Sequence, residues 1–455
     1  MTPLSFDEFF RDAPLAVPVE AVRQAWQSLS ADYDVEQWRL PLPLWARRPY
    51  DHHQQATWPA LQRHLADYHS PAALCIYLHV PFCTSKCGFC DSYSFRLRTH
   101  QDERVAEYIH LLCAELAQWS RQGNLSQRPV STVHFGGGTP GFLGADGLAQ
   151  LVDGCQELFA TQPDTEWALE TTVESLTPEM VEALHALGFR RLHVGVQSLE
   201  PAVRAEIGRR RPPAEVLERI QAVRKLGWVV SVDLLCGLPY QTLAGYMAGI
   251  EQLLQVGVDG FSLYELLIYP QNQRWAAKNG LLQRSHLPNY WLFQAGAALL
   301  SQRGLEKNLF NHWANQRDAN VYFTFPTRGE DCLAVGTIAD GVFGRFHYRH
   351  LGYKYYLSQL HAGQLGLEGG LLRTEMEDAA QSLATAILSS RIPSEALSLL
   401  RMPGADGRPP VERWLANGLV VNADQGGLQL TDGGAWFAGN LVAEANQAIL
   451  RYASL

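Results

Sequence analysis

The sequence lacks the long apolar run and the basic leader that would take it into or through a membrane. No stretch of about 18 consecutive apolar residues occurs, which is the length that a membrane-spanning helix requires. The first residues, MTPLSFDEFFRDAP, carry acidic residues early and do not combine a basic segment with an apolar one, as a secretory signal does. We therefore expect a cytoplasmic protein with no membrane partner.

Basic charge is also scarce. The 455 residues include 37 Lys and Arg against 46 Asp and Glu, and the net charge of −9 argues against a general nucleic-acid binder. Hydrophobic residues make up 47% of the chain and charged residues 18%, a balance typical of folded globular proteins rather than disordered ones. The length predicts one large α/β domain with additions, or about two to three domains.

Short β-rich runs alternate with helical patterns from residue 74 onward. Amphipathic helices separate six predicted strands, and several of these helices end at a glycine. The alternation is typical of parallel β/α units, and six units in series predict a partial (β/α)6 barrel of the TIM type, with its chemistry at the carboxyl ends of the strands. The predicted strands are LCIYLHV (74–80), STVHFG (131–136), EWALETTV (166–173), RRLHVGVQ (190–197), VVSVDLL (229–235) and FSLYELLI (261–268).

Changes in composition divide the chain into four segments. A polar segment with Trp and Pro covers residues 1–70, the partial barrel covers 71–270, and an irregular α+β extension that includes the substrate region covers 271–370. Residues 371–455 show a helix, a hairpin and a helix, the pattern of a small winged-helix-like module. Because Arg413 is the one basic residue between 411 and 440, we do not expect a nucleic-acid partner.

A fourth clustered cysteine is missing. Cys83, Cys87 and Cys90 form a C-x3-C-x2-C arrangement just after the first predicted strand, and no second pair follows to complete a zinc site. Three thiolates on one loop can hold three irons of a [4Fe-4S] cluster and leave the fourth iron open to a small molecule. The alternatives are a metal-storage site and unrelated thiols. The five other cysteines stand singly in apolar surroundings and are expected to be buried: Cys75, Cys113, Cys155, Cys236 and Cys332.

The cysteine loop and five later motifs resemble one enzyme superfamily. The pattern Tyr-x-His-x-Pro-Phe-Cys-x3-Cys-x-Phe-Cys after a strand is similar to the radical S-adenosylmethionine (SAM) superfamily, in particular to the branch typified by oxygen-independent coproporphyrinogen III oxidase. The similarity runs from about residue 74 to about 270 and resumes in the tail. The later motifs follow in order at strand ends: FGGGTPGFL (135–143), ETTVES (170–175), HVGVQSL (193–199), IGRR (207–210) and DLLCGLP (233–239).

The resemblance implies a cofactor set and the residues that hold it. SAM would chelate the open iron, and an electron from the reduced cluster, supplied by a donor such as flavodoxin or ferredoxin, would split SAM to a 5′-deoxyadenosyl radical. Cys83, Cys87 and Cys90 are the implied metal ligands, and together with Tyr77, expected near the SAM sulfonium, they form the implied catalytic set. The implied SAM-binding residues are Phe89, Gly136, Gly137, Gly138, Thr139, Glu170, Gln197, Arg209 and Asp233.

The sequence departs from this branch at two places. Asp91-Ser92-Tyr93 follows Cys90 where the oxidases have a further cysteine, and TIADG (337–341) stands where the related haem-binding chaperones have a glycine-rich motif. Retained SAM contacts beside a changed substrate region favour the class C methylases and cyclopropane-formers. These enzymes use two SAM molecules, and the second donates a methyl or methylene group to an sp² carbon of a planar or unsaturated small molecule. The alternatives are oxidase-like decarboxylation or anaerobic haem or porphyrin modification, and a non-catalytic haem or cluster carrier.

Aromatic and histidine residues of the extension are further candidates. Phe343, Phe346, Tyr348 and Tyr353 either stack against a planar substrate or pack in the core. His347 and His350 either donate protons or serve a structural purpose.

Overall fold

The structure, a computed structural model, describes residues 4–30, 35–404 and 407–453. Six parallel strands form the centre of its main sheet, and each overlaps one of the six predicted strands. Their side chains are mostly buried on both faces, as is typical of parallel strands covered by helices. The strands are β1 (Leu74–Val80), β2 (Pro129–Gly137), β3 (Ala160–Thr171), β4 (Arg191–Gln197), β5 (Val229–Cys236) and β6 (Gly260–Glu265).

Helices connect these strands and end where the sequence predicts. In the third helix, the Thr177 hydroxyl accepts a hydrogen bond from the Met180 amide at 3.3 Å and so caps the first turn. Gly188, in the left-handed region at φ 91°, follows the end of the same helix. The main helices are α1 (Glu103–Trp119), α2 (Gly144–Leu158), α3 (Pro178–Ala186), α4 (Pro213–Lys225), α5 (Leu243–Gln255) and α6 (Leu287–Gln302), with short helices at Pro201–Glu206 and Gln273–Lys278.

The extension adds a seventh parallel strand that the sequence analysis did not predict. Asp331–Val335 pairs in parallel with β1, on the side opposite β2. A buried ion pair between Arg128 and Asp331, 2.6 Å long, ties this strand to the start of β2. The barrel wall therefore continues past β1 into the extension.

Antiparallel strands complete both edges of the main sheet, which has thirteen strands in the described part of the chain. Beyond Asp331–Val335 come Asp340–Phe343, Phe346–His350, Leu367–Leu372 and His52–His53, and beyond β6 come His312–Ala314 and Glu306–Leu309. Two short strands, Phe82–Cys83 and Phe95–Arg96, pair with each other at the base of the cysteine loop. The remaining helices before residue 370 are Phe6–Phe9, Val19–Ser28, Gln54–Asp67, Val321–Thr324 and Tyr353–His361.

The C-terminal part forms a small sheet flanked by helices. Strands Val420–Asn422 and Leu428–Leu430 make the predicted hairpin, and Arg391–Ile392 pairs with the second of them. The helices are Glu375–Leu388, Leu397–Leu400, Pro410–Ala416 and Ala438–Ala453. The division of the chain at residues 70, 270 and 370 stays a prediction.

Among the described residues, no helix combines the length and the apolar character that crossing a membrane requires.

Candidate active site

A cavity of about 680 Å³ opens at the carboxyl ends of β1 to β5. Its lining residues lie between Cys83 and Asp233 in the sequence, so neither the described part of residues 1–70 nor the extension contributes to the lining. The structure brings together every predicted site residue except Tyr77 and Gly136. Those that line the cavity are Cys83, Cys87, Phe89, Cys90, Gly137, Gly138, Thr139, Glu170, Gln197, Arg209 and Asp233.

The three clustered cysteines lie on one loop that is held by its own backbone. The Cys90 amide donates a hydrogen bond to the Cys87 carbonyl at 3.1 Å, and the Lys86 ammonium donates to the Ser92 carbonyl at 2.6 Å. All three thiols are free and partly buried. The loop therefore presents three sulfur donors to one wall of the cavity.

A neighbouring helix fixes the tip of the cysteine loop. A Cβ atom on Gly88 would lie 2.4 Å from the indole of Trp275, so glycine is needed where this ring packs on the loop. Asn272, at the start of the same helix, donates a side-chain hydrogen bond to the Phe89 carbonyl at 2.9 Å. The glycine between the second and third cysteines thus serves close packing.

The three thiols are suitable ligands for an iron-sulfur cluster, but they are not arranged as a closed metal site. Burial raises the pKa of Cys87 and of Cys90, although Arg209 acts in the opposite direction at Cys87 and Lys86 does so at both thiols. Within the described ranges, no three Cys, His, Asp or Glu side chains converge into a formed metal site. Three thiols on one loop, beside a cavity with room for a second molecule, fit a [4Fe-4S] cluster with an open corner.

The glycine run at the end of β2 allows this strand to approach β1 and the cysteine loop. A Cβ atom on Gly138 would lie 2.8 Å from the Phe82 carbonyl oxygen and 3.1 Å from the Cys83 sulfur. Gly137 has φ 108° and leaves space for the His79 ring, which a Cβ atom would approach to 2.7 Å. The run therefore has a packing requirement of its own, and its contact with SAM stays a prediction.

Glu170 projects from β3 and is held at both carboxylate oxygens. His134 Nε2 lies 3.0 Å from Oε1, and the Gly137 amide donates to Oε2 at 3.2 Å. Burial raises the pKa of Glu170, but the hydrogen bonds from His134 and Gly137 and the nearby imidazoles outweigh burial and lower it. Glu170 also lines the cavity, and its contact with SAM stays a prediction.

Tyr77 lies deeper than the cavity lining. Its hydroxyl lies 3.0 Å from His79 Nδ1, and its ring stacks on Tyr322 with centroids 5.2 Å apart. A Cβ atom on Gly136 would lie 2.7 Å from the Tyr77 ring, which explains why Gly136 also stays outside the lining. The expected position of Tyr77 beside the SAM sulfonium stays a prediction.

Gln197 and Arg209 lie together on the opposite wall of the cavity. Gln197 has φ 68°, a left-handed backbone conformation that is uncommon for a residue with a side chain and that occurs often at functional sites. A Cβ atom on Gly195 would lie 2.9 Å from the Gln197 amide nitrogen and 3.4 Å from Arg209. Arg209 pairs with Glu174 at 3.4 Å, yet its Nε has no hydrogen-bond partner in the described part of the chain.

His193, which is not among the predicted site residues, lines the cavity beside Asp233. His193 Nε2 lies 2.6 Å from Asp233 Oδ1, and the ring is buried. Alternation along β4 gives His193 the same strand face as Gly195, but the strand register shifts between Gly195 and Gln197, so alternation does not connect His193 with Gln197. The contact of His193 with Asp233 depends on the pairing of β4 with β5, which the sequence pattern does not show.

The aromatic residues of the extension have structural contacts instead of lining the cavity. Phe343, Phe346 and Tyr348 are buried in the main hydrophobic core. His350 Nε2 lies 2.6 Å from Glu115 Oε1, with both side chains inaccessible to solvent. Core packing, one of the two alternatives for this group, is therefore the one that the structure favours.

Comparison with known proteins identifies the barrel. Residues 77–254 match the model of the Radical SAM superfamily. Anaerobilin synthase of Escherichia coli O157:H7 is 27% identical over 435 residues, which cover 93% of this chain and 94% of that protein. The oxygen-independent coproporphyrinogen III oxidase of Bradyrhizobium diazoefficiens is 32% identical over 204 residues, 44% of each chain.

A solved structure shows the same fold. Coproporphyrinogen III oxidase (HemN) from Escherichia coli superimposes with a TM-score of 0.75 at 21% identity, and the match covers 90% of this chain and 99% of that one. The predicted α/β fold with a partial radical SAM barrel is therefore confirmed. A radical SAM domain implies a [4Fe-4S] cluster and SAM, whose chemistry, when both are bound, is the generation of a carbon radical. Residues 77–254 therefore carry a radical SAM domain, the protein is an enzyme, and its sequence is similar to those of the coproporphyrinogen oxidase and the anaerobilin synthase described above.

Proposed function

We propose that this protein is a radical SAM enzyme that modifies a haem or a related porphyrin without using oxygen. The observation that carries the proposal is the extent of the similarity to anaerobilin synthase, which spans 93% of this chain and so includes the extension and the C-terminal module as well as the barrel. The cavity supports the proposal. The thiol loop forms one wall, Gln197 and Asp233 lie on the opposite wall, and the space between them is large enough for more than one ligand.

Each group of cavity residues has its own role in this proposal. Cys83, Cys87 and Cys90 would hold the cluster. Arg209, whose Nε lacks a partner among the described residues, would receive the SAM carboxylate, and Asp233 would accept hydrogen bonds from the ribose hydroxyls. Thr139, whose hydroxyl lies 3.5 Å from the Cys83 sulfur, would border the cluster.

Oxidase-like decarboxylation of coproporphyrinogen is the second candidate. The oxidase match is 32% identical over 204 residues and covers 44% of the chain, whereas the 27% identity to anaerobilin synthase extends over 435 residues. Methylation and cyclopropanation, favoured by the sequence analysis, take third place because the relatives described above are named for other products. Use of two SAM molecules stays part of that third hypothesis.

The decisive experiment is anaerobic incubation of the reconstituted, reduced protein with methyl-labelled SAM and, separately, haem and coproporphyrinogen. We expect 5′-deoxyadenosine to form together with loss of the haem absorbance bands and a new tetrapyrrole product. Loss of carboxyl groups from coproporphyrinogen would instead support the oxidase candidate. Formation of S-adenosylhomocysteine in step with 5′-deoxyadenosine while the haem absorbance bands persist would support the methylase hypothesis. An intact cluster that cleaves no SAM with any substrate would favour a haem or cluster carrier.

An acidic electron-transfer protein, such as flavodoxin or ferredoxin, is the proposed electron donor. Arg96 and Arg98 follow the cysteine loop, are exposed, and form no ion pair with any described residue. Unpaired cations beside the cluster loop favour a partner of opposite charge. Replacing Arg98 with Glu should raise the KM for the protein donor and leave turnover with dithionite unchanged, and Arg96 is kept because it also lines the cavity. Equal loss with both reductants would contradict this surface as the docking site.

A further inference from the structure

The two ring nitrogens of His193 have different surroundings. Nε2 is engaged with Asp233 Oδ1 at 2.6 Å, whereas Nδ1 is buried and has no hydrogen-bond partner in the described part of the chain. The residue is 6% exposed and lines the cavity. A buried imidazole nitrogen without a partner is costly, so Nδ1 requires a partner that the protein itself does not supply.

No described neighbour can take that position. The His312 ring lies with its centroid 6.3 Å from that of His193, and both His312 nitrogens are already engaged, Nδ1 with Ser262 and Nε2 with Asp318. Phe323 packs at 5.8 Å and offers no hydrogen-bonding group. Nδ1 is therefore open to a molecule bound in the cavity that His193 lines.

Charges around His193 determine whether Nδ1 donates or accepts. Burial lowers the pKa of His193, and Arg191 on the same strand acts in the same direction, but Asp233 on β5 and Glu170 on β3 outweigh them and raise it. His312 also faces the ring, but it is engaged with Asp318. A raised pKa favours the imidazolium form, in which both nitrogens donate.

We propose that His193 couples the two ligands of the cavity, with Nε2 orienting Asp233 toward SAM and Nδ1 donating a hydrogen bond to an acceptor atom of the substrate. His193 is thus a positioning residue for SAM and a specificity-determining residue for the substrate. The substrate half rests on the proposed function, because a haem or porphyrin supplies the acceptor. The half that concerns Asp233 rests on the observed contact alone.

Two conservative variants separate these contacts. The amide nitrogen of Gln reaches about as far as Nε2, so His193→Gln retains the bond to Asp233 and loses the Nδ1 donor. The amide nitrogen of Asn lies near the position of Nδ1, so His193→Asn retains that donor and loses the bond to Asp233. His361→Gln is the matched control, since His361 is exposed and pairs with Glu107 on the surface.

Binding measurements without turnover provide the readout. SAM affinity is measured by equilibrium dialysis on reconstituted, unreduced protein, and haem affinity by absorbance titration. For His193→Gln we expect SAM binding like that of the unaltered protein and haem binding about tenfold weaker, the size of one lost hydrogen bond. For His193→Asn we expect the opposite pattern. In the unaltered protein, haem affinity should fall as rising pH deprotonates His193, and the Asn variant should lack this dependence.

The outcomes distinguish this inference from the proposed function. Haem binding that is unchanged in His193→Gln and independent of pH in the unaltered protein overturns the coupling while the proposed function stands. An unaltered protein that binds SAM but no tetrapyrrole overturns the proposed function and the substrate half together. Equal SAM affinity in the Gln and Asn variants overturns the half that concerns Asp233.

Discussion

The three thiols of the cysteine loop differ from the other cysteines in what surrounds them. Cys75, Cys155, Cys236 and Cys332 are buried, as the sequence predicts, whereas Cys113 is partly buried on α1, away from the cavity lining. Burial places the pKa of Cys236 at about 12, so this thiol stays protonated and is a poor metal ligand. Only the loop cysteines combine partial exposure with a shared cavity wall.

Replacing Cys87 with Ala should therefore abolish the cluster. With one of three thiolate ligands removed, the reconstituted protein should lose the cluster absorbance and the SAM cleavage that depends on it, while the fold is retained. Cys113→Ala is the control, because it removes a partly buried thiol that does not line the cavity. A Cys87→Ala protein with full cluster absorbance and SAM cleavage would remove the basis of the assignment.

Glu115 is a second residue whose surroundings determine its properties, because its carboxylate is fully buried. Glu115 on α1 lies against His350 and accepts hydrogen bonds from the Trp119 indole at 3.0 Å and from the Tyr356 hydroxyl. Burial raises the pKa of Glu115, but His350 and the hydrogen bonds outweigh burial and lower it. Burial lowers the pKa of His350, but the interaction with Glu115 outweighs burial and raises that pKa. The pair joins α1 to the extension sheet.

Stability should therefore depend on pH through this pair. The lowered pKa of Glu115 contributes stability fully above its ordinary value of 4.5, and the raised pKa of His350 contributes fully below its ordinary value of 6.5. The contribution is complete between these values and declines as pH falls below 4.5 or rises above 6.5. Urea unfolding across this range should show that His350→Gln lowers the unfolding free energy by about 3–5 kcal/mol at pH 5.5 and flattens the profile. An unaltered pH profile in the variant would contradict this.

At the scale of elements, the end of β2 is shaped by its contact with the cysteine loop. The Gly138 amide donates to the Val80 carbonyl at 2.7 Å, and the Thr139 amide donates to the Phe82 carbonyl at 2.9 Å. The strand therefore continues the backbone pairing of β1 into the loop that holds Cys83.

Gly138→Ala should displace this loop. Its Cβ atom would lie 2.8 Å from the Phe82 carbonyl and 3.1 Å from the Cys83 sulfur, and overpacking of this kind costs about 1–3 kcal/mol. We expect lower stability and reduced cluster content by iron analysis. Gly154→Ala is the control, since its Cβ atom would meet nothing closer than 4.0 Å within α2 and should stabilise the protein by about 0.5–1 kcal/mol. Equal cluster content in both variants would contradict the prediction that a Cβ atom at Gly138 displaces the cysteine loop.

The strands of the barrel were predictable because each is a compact apolar run between helices. β1 occupies residues 74–80 as predicted, and β4 and β5 differ from their predicted bounds by one residue at one end. The site residues could be predicted because they lie at or near the carboxyl ends of these strands. His134 and His193 were not predicted because each carries a buried bond to a carboxylate of the neighbouring strand, a pairing that only the strand register reveals.

At the scale of the whole molecule, the extension was harder to predict than the barrel. Asp331–Val335 is a five-residue strand separated from α6 by two antiparallel strands and a short helix, so no regular β/α alternation marks it. Its parallel pairing with β1 depends on contacts distant in sequence, such as Arg128 with Asp331 and Tyr348 with Ala334. Long-range contacts of this kind leave no local pattern in the sequence.

The N-terminal segment ties the barrel to the C-terminal module. The Trp38 amide donates to Glu265 Oε2 at the end of β6 at 2.8 Å, and the Trp38 ring stacks on Phe310 with centroids 5.0 Å apart. The Trp436 indole donates to the Glu36 carbonyl at 3.3 Å. Trp38 is 1% exposed, so this segment is part of the folded core and not a loose cover.

Trp38→Ala should therefore lower stability and leave ligand binding intact. Loss of a buried indole costs about 3–5 kcal/mol, which urea unfolding would detect. Because no described residue before Cys83 lines the cavity, SAM affinity measured by equilibrium dialysis should stay unchanged in conditions where the variant is folded. Leu15→Ala, which alters a fully exposed side chain of the same segment, is the control and should change neither quantity. A Trp38→Ala protein of normal stability that binds SAM weakly would show instead that the segment acts on the cavity directly.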